Sequence, residues 1–159
     1  MKRGEFLRPT FVKIYLGSDH AGFLLKQKVK KYLDRKKIAY EDLGDFVKNR
    51  DDDYPDFVVP VARRVARDKN ARGIVIGGSG QGEAIAANRM REVRAAVYYG
   101  GDLNTVQLSR EHNNANVLSL GARFLTEKEA LRAIELWLKS SFKGGRHARR
   151  MRKIDQLYQ

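Results

Sequence analysis

Short apolar runs that mostly close on glycine alternate with amphipathic stretches along nearly the whole chain, and this alternation restricts the fold more than any other feature. The runs are FVKIYLGSD (11–19), IAYEDLG (38–44), GIVIGG (73–78), RAAVYYG (94–100) and NVLSLGA (116–122), rich in Val, Ile, Leu and Tyr. That length and composition belong to strands. Between them Leu25, Val29, Tyr32 and Leu33 recur at helical spacing, as do Val58, Val61, Ala62 and Val65, so each stretch is a helix with one buried face. Pro55 and Pro60 are expected in or near the first turn of the second helix, where a missing N–H is tolerated. Thr126 and Glu129 form a capping box ahead of Ala130, Leu131, Ile134 and Leu138, which starts a helix there. After a Lys-Gly-Gly break, RHARRMRKIDQLY places Met151, Ile154 and Leu157 on one side, so a docked C-terminal helix is expected.

Strands joined through helices make crossover connections, which produce a mostly parallel sheet with helices on both faces. The expected fold is α/β: a Rossmann-like three-layer α/β/α domain with a five-stranded sheet and a C-terminal helix. A chain of 159 residues suits one domain. Residues 1–12 are expected to be an N-terminal extension and 13–159 the single domain. In open sheets of this kind the ligand sits beyond the carboxyl ends of the strands. The loops that follow the strands hold the unusual residues: GSDHAG (17–22), GGSGQGE (77–83) and GGDLN (100–104).

GGSGQGE has four glycines in seven positions and ends on a carboxylate. It follows a strand and opens a helix, so its N–H groups should converge as an anion cradle. Neither nucleotide fingerprint fits. The dinucleotide pattern from Gly78 needs glycine at 83, the P-loop pattern from Gly77 needs lysine there, and both meet Glu83. A hydrolase elbow fails at Gln81. Two readings of the glycines stand at this point, a tight turn alone or an oxyanion cradle. Glu83 is equally double: a favourable first-turn carboxylate, or a base whose product anion the loop stabilises. The helix dipole and the nearby N–H groups are expected to depress its pKa, and burial in a closed, occupied site would have to oppose them.

The three histidines, His20, His112 and His147, lie in polar contexts at element ends, and none is expected in the core. Their spacing matches no zinc signature, and the chain has no cysteine, so no metal site is expected. The missing cysteines also exclude a disulfide scaffold and a thiol nucleophile and suit a reducing compartment. Asp19 can simply cap the turn ahead of a helix, and the Asn-rich turn around His112 and Asn113 is ordinary as a turn. Arg146 and Arg150, four apart, project from one helical face as a phosphate clamp or as a solvated basic stripe. The formal net charge of +13 attracts phosphorylated ligands or polyanions alike. No apolar run is long enough to span a bilayer and the N-terminus lacks a signal-like apolar region, so a soluble, cytoplasmic protein without a membrane partner is expected.

In this order and at these separations, GSDHAG, DYP, GGSGQGEAIAAN, SREHNNANVLSLGAR and GGRHARR resemble the type B ribose-5-phosphate isomerases, whose family also contains galactose-6-phosphate and allose-6-phosphate isomerases. The likeness spans residues 13 to 153. It implies a Rossmann-like homodimer, or a tetramer of such chains, with each active site assembled from two subunits. It implies no cofactor, and interconversion of ribose 5-phosphate and ribulose 5-phosphate in the pentose phosphate pathway. By the same resemblance Asp19 and His20 bind the sugar phosphate and help to open the ring, and Tyr54 lines the pocket. Gly78, Ser79, Gly80 and Gly82 belong to the oxyanion loop, and Asn113 holds substrate hydroxyls. Many members carry a cysteine base at the position of Gly77; here the pattern matches the branch that uses a glutamate, with Glu83 as proton acceptor. His112 is implied as the acid in ring opening, and Arg123, Arg146 and Arg150, with His20, as the phosphate ligands.

Two alternatives stay open: a six-carbon sugar phosphate as substrate, and a non-catalytic module for nucleic acid or nucleotides. The second accounts for the charge, but the basic residues are not interleaved with stacking aromatics and no RNA-binding motif is present. Nucleic acid is therefore not the expected partner.

Overall fold

The five apolar runs form β1 (Lys13–Ser18), β2 (Tyr40–Asp42), β3 (Ala71–Gly77), β4 (Ala95–Tyr98) and β5 (Val117–Gly121) in a computed structural model that describes residues 13–158. The proposed extension 1–12, with Phe11 and Val12 of the first expected strand, lies outside the described residues. The strands lie in the order β2-β1-β3-β5-β4, and all four pairings are parallel. Ser18 pairs with Ile76 and Gly77 with Gly121, so the chain leaves β1, β3 and β5 at one level. The turns after these strands therefore emerge side by side, at the switch point where connections run to opposite edges.

The helices are α1 (Phe23–Arg35), α2 (Pro55–Arg67), α3 (Gln81–Asn88), α4 (Asn104–Glu111), α5 (Glu127–Lys139) and α6 (Arg146–Asp155), followed by a 3-10 turn, Gln156–Tyr158. Alternate residues of the strands serve opposite layers. Ile14, Leu16, Ile74 and Ile76 pack with Val29 and Leu33 of α1, Val106 of α4, and Ile134 and Trp137 of α5. Tyr15 and Val75 pack with Val58, Val61 and Val65 of α2 and Ala87 of α3. Both faces are covered, as an all-parallel sheet requires. The Thr126–Glu129 capping box is present in both directions. None of these helices is long and apolar enough to cross a membrane.

Two expectations are corrected. Pro60 lies inside α2, beyond its first turn. It removes a helical hydrogen bond, a defect of about 3 kcal/mol, and the helix continues because Val61, Ala62 and Val65 beyond it are buried against the sheet. The C-terminal helix forms, but its apolar side is docked only in part: Met151 is half-buried beside Val65 and Ala66, whereas Ile154 is 48% and Leu157 80% exposed, and His147 is its buried residue. A narrow apolar stripe in so basic a helix offers little area to hold it down.

Candidate active site

The glycine loop is fixed from below. Gly80 sits at φ +78°, left-handed backbone that suits glycine. Its carbonyl accepts a 2.7 Å hydrogen bond from Ser119 Oγ of β5. Ala122 N–H and Arg123 N–H donate to the carbonyls of Gly77 and Gly78, at 2.8 and 3.0 Å. Glu83, in the first turn of α3, folds back over the end of β3, where a Cβ on Gly77 would overlap its carboxylate. The side chain is buried as a result, at 4% exposure. Burial raises its pKa above the usual carboxylate value, and the charge of Asp19 acts in the same sense against N–H groups of Glu83 itself and Gly80. The expected depression is thus reversed: the strand end and α3 enclose the carboxylate within a single chain, and desolvation outweighs the helix terminus.

Asp19 closes the turn after β1, its Oδ1 accepting from the N–H groups of Ala21 and Gly22 at 3.0 and 3.2 Å. Capping and a place beside Glu83 therefore coexist in one residue. His20 Nδ1 lies 2.5 Å from Asp52 Oδ1, which also accepts from the His20 main-chain N–H. Tyr54 packs on the loop so closely that a Cβ on Gly82 would sit 2.7 Å from its ring. A Cβ on Gly78 would stand 3.1 Å from the guanidinium of Arg123. Next to this cluster a cavity of about 500 Å³ is lined by His20, Ala21, Leu24, Lys48, Arg50 and Arg123. One chain thus gathers Asp19, His20, Tyr54, Gly78, Ser79, Gly80, Gly82, Glu83 and Arg123 at the carboxyl ends of its strands.

The other assigned residues lie elsewhere. α4 runs back from the end of β4, so His112, its C-cap, and Asn113 precede β5 at the amino end of the sheet. There the His112 ring stacks on that of His147, with centroids 4.1 Å apart, and Arg146 and Arg150 stand exposed beside them at the start of α6. β5 is five residues long, so roughly 15 Å of strand separates this group from the glutamate. Arg146 and Arg150 share a helix turn as expected, but Arg123 belongs to the opposite end of the same chain. His147 also corrects the expectation that no histidine is in the core, because it is 8% exposed.

Asp19, His20 and Asp52 bring one possible ligand atom each within 4.8 Å of one another. The two carboxylates already accept hydrogen bonds there, Asp52 from His20 and Asp19 from Ala21 and Gly22. Sequence reasoning missed Asp52, Lys48 and Arg50. Three successive aspartates before Tyr54 were the available signal, and only the folded path of residues 43–54 selects the middle one.

The doubly wound α/β domain sets a buried carboxylate of raised pKa, a glycine loop at a helix N-terminus and a cationic cavity side by side, a grouping suited to an enzyme that moves a proton on an anionic substrate. The model of the family described as Ribose/Galactose Isomerase matches residues 14–154. Ribose-5-phosphate isomerase B of Mycolicibacterium paratuberculosis is 43% identical over 141 residues, covering 88% of this chain and 87% of that protein. The crystal structure of ribose-5-phosphate isomerase B from Mycoplasma genitalium with bound ribulose-5-phosphate is 39% identical, with a TM-score of 0.88 over 92% of this chain and 95% of that one. The Thermotoga maritima ribose 5-phosphate isomerase structure is 43% identical, with a TM-score of 0.85 over 91% and 98% of the two chains. The chain belongs to the ribose/galactose isomerase family.

Proposed function

We propose that this enzyme interconverts ribose 5-phosphate and ribulose 5-phosphate through an enediolate, with Glu83 as the base. The observation that carries the reading is the buried Glu83 carboxylate, held over Gly77 with its pKa raised by burial. A general base is most effective when its pKa approaches the working pH. Glu83 takes the proton from C2 of the open-chain aldose, leaving an enediolate whose negative oxygen lies against N–H groups of the loop 78–82. The same carboxyl returns the proton to C1, while the proton of the C2 hydroxyl passes to the C1 oxygen as the ketone forms. Atoms and charge balance without a redox partner, so this mechanism uses no cofactor.

Asp19 and His20 hold the sugar phosphate at the turn after β1, Tyr54 closes the pocket side, and His20 with Arg123 receives the phosphate. His112 as the acid of ring opening, Asn113 as a hydroxyl ligand, and Arg146 and Arg150 as phosphate ligands come from a second subunit, since their own chain carries them at the far end of the sheet. The working unit in this reading is a cytoplasmic homodimer built from one isomerase domain, 13–159, preceded by the extension 1–12.

The test is turnover of ribose 5-phosphate and ribulose 5-phosphate by the purified chain, beside allose 6-phosphate. Interconversion of the pentose phosphates, lost in Glu83→Gln, is the expected result. Preferential turnover of the six-carbon substrate, or full activity in Glu83→Gln, would overturn the assignment.

A further inference from the structure

The segment between β2 and α2 has little regular structure, yet it is held tightly against the strand ends. Leu43 N–H donates to Leu16 O at 2.8 Å, Ser18 N–H to Gly44 O at 2.8 Å, and Asp45 N–H to Ser18 O at 2.7 Å. From the other side α1 supplies Lys26, fully buried, whose Nζ donates to Asp42 Oδ1 at 2.7 Å and to Asp45 O at 2.5 Å. A buried ammonium persists only where it is paired and hydrogen-bonded, so this contact fixes the path of the segment. The chain then returns to the site twice within three residues. Tyr54 reaches Gly82, and Asp52 reaches His20.

Asp52 grips His20 at two points. One oxygen accepts from the main-chain N–H at 3.2 Å and from ring Nδ1 at 2.5 Å, and the Asp52 side chain is 7% exposed. Burial pushes the Asp52 carboxyl up, but hydrogen bonds from the His20 ring and main chain bring it below its ordinary value. The main-chain bond locks the carboxylate to the turn, so the ring turns only by breaking a charge-assisted hydrogen bond. With Nδ1 engaged, Nε2 is the nitrogen left for the cavity that His20 lines with Lys48, Arg50 and Arg123. A carboxylate that fixes one nitrogen of an imidazole so that the other works in a set direction is a general device.

We propose that Asp52 is a positioning residue of the isomerase: it orients the His20 imidazole so that Nε2 meets the sugar phosphate. This rests on the assignment of His20 made under the proposed function. The competing use of the same atoms is a divalent cation site formed with Asp19.

Asp52→Asn keeps an oxygen that can accept both N–H groups, whereas Asp52→Ala removes it. Asp52→Ala is expected to raise KM for ribose 5-phosphate about 10- to 100-fold, the range for losing the outer partner of a working histidine. A change in kcat of less than about threefold and recovery of most of the KM by Asp52→Asn are expected alongside, because only orientation is at stake. In protein carrying 15N-histidine, the expected signature is a proton on His20 Nδ1 in the parent, lost in Asp52→Ala. A merely structural contact would neither separate KM from kcat nor change the ring.

The proposal is overturned by a KM within about twofold of the parent in Asp52→Ala, or by kcat and KM failing together and equally in both variants. It is also overturned by activity that disappears on chelation and returns with a divalent cation. Should Asp52→Ala not fold, the parent spectrum decides, since His20 protonated at Nε2 alone refutes the proposal. The spectrum and a titration with inorganic phosphate need no turnover. A protein that binds phosphate at an Nδ1-protonated His20 but leaves ribose 5-phosphate unchanged would overturn the proposed function and leave this inference standing.

Discussion

The imidazole rings of His112 and His147 lie face to face, 4.1 Å between centroids and 7° from parallel. The stack joins the end of α4 to the start of α6, and Lys143 strengthens the same junction through Glu111, by a 2.5 Å ion pair and by its main-chain N–H to the Glu111 carbonyl at 3.0 Å. Burial lowers the pKa of His147, and the neighbouring His112, Arg146, Arg150 and Lys143 lower it further. Burial and these neighbouring cations disfavour a charge on the ring, so neutral His147 is the form that suits the fold.

The sign of the resulting pH dependence is set by that depression. The unfolded chain takes up a proton at this histidine before the folded chain does, so its contribution is complete above about pH 6.5 and is lost as the pH falls below it. Thermal unfolding of the parent between pH 7.5 and pH 5 should show this loss, and His147→Gln should show less of it. Identical pH dependence in the two proteins would refute the assignment.

Glu83 carries the opposite linkage. Its carboxyl is raised in the folded state, so its favourable contribution is present below the ordinary value near 4.5 and is lost as the pH rises through the folded value. At neutral pH the buried charge therefore costs stability. Glu83→Gln should lower kcat about 100-fold or more, the scale of general-base catalysis, yet melt at a higher temperature than the parent at pH 7 and with no such advantage at pH 4. A variant less stable than the parent at pH 7 would show that the carboxylate is structural.

Much of the fold was legible because its signals are local. The apolar runs, the helical repeats of α1 and α2 and the Thr126–Glu129 box each depend on residues a few positions apart. The failures share the opposite character. Docking of Ile154 and Leu157 depends on a facing surface that periodicity does not report, and the burial of His147 depends on a ring 35 positions away in the chain. Selection of Asp52 over Asp51 and Asp53 depends on Lys26 and the end of β1 steering the intervening segment. The place of Glu83 beside the glycine loop was legible early because a helix N-terminus, a glycine run and a carboxylate are contiguous. The pKa direction of Glu83 did not, because burial is a tertiary property.

Gly77 matters for its lack of a side chain. A Cβ there would overlap the Glu83 carboxylate, so Gly77→Ala must displace the glutamate or move the strand end. Gly77→Ala is expected to lose about as much kcat/KM as Glu83→Gln, roughly 100-fold, and the double variant little more than either, since both act on one group. Circular dichroism and turnover measured together provide the check. Parental activity in Gly77→Ala would mean that Glu83 does its work from some other position.

Glu83 stands at the carboxyl end of the sheet and His112 at the amino end, so under the proposed dimer a site needing both takes one from each subunit. Glu83→Gln and His112→Ala should each be nearly inactive as purified proteins on the cyclic substrate. Mixed after unfolding and refolding together in equal amounts, they should form hybrid dimers in about half of the population, each with one site holding both parental residues, and so regain about a quarter of parental activity. The doubly substituted chain, Glu83→Gln with His112→Ala, refolded with the parent supplies the control, because its hybrids contain no site with both residues intact. Recovered activity in the first mixture, above that of either variant refolded alone, is the expected result. Its absence, with hybrid dimers demonstrated by mass, would place His112 outside the site that Glu83 serves.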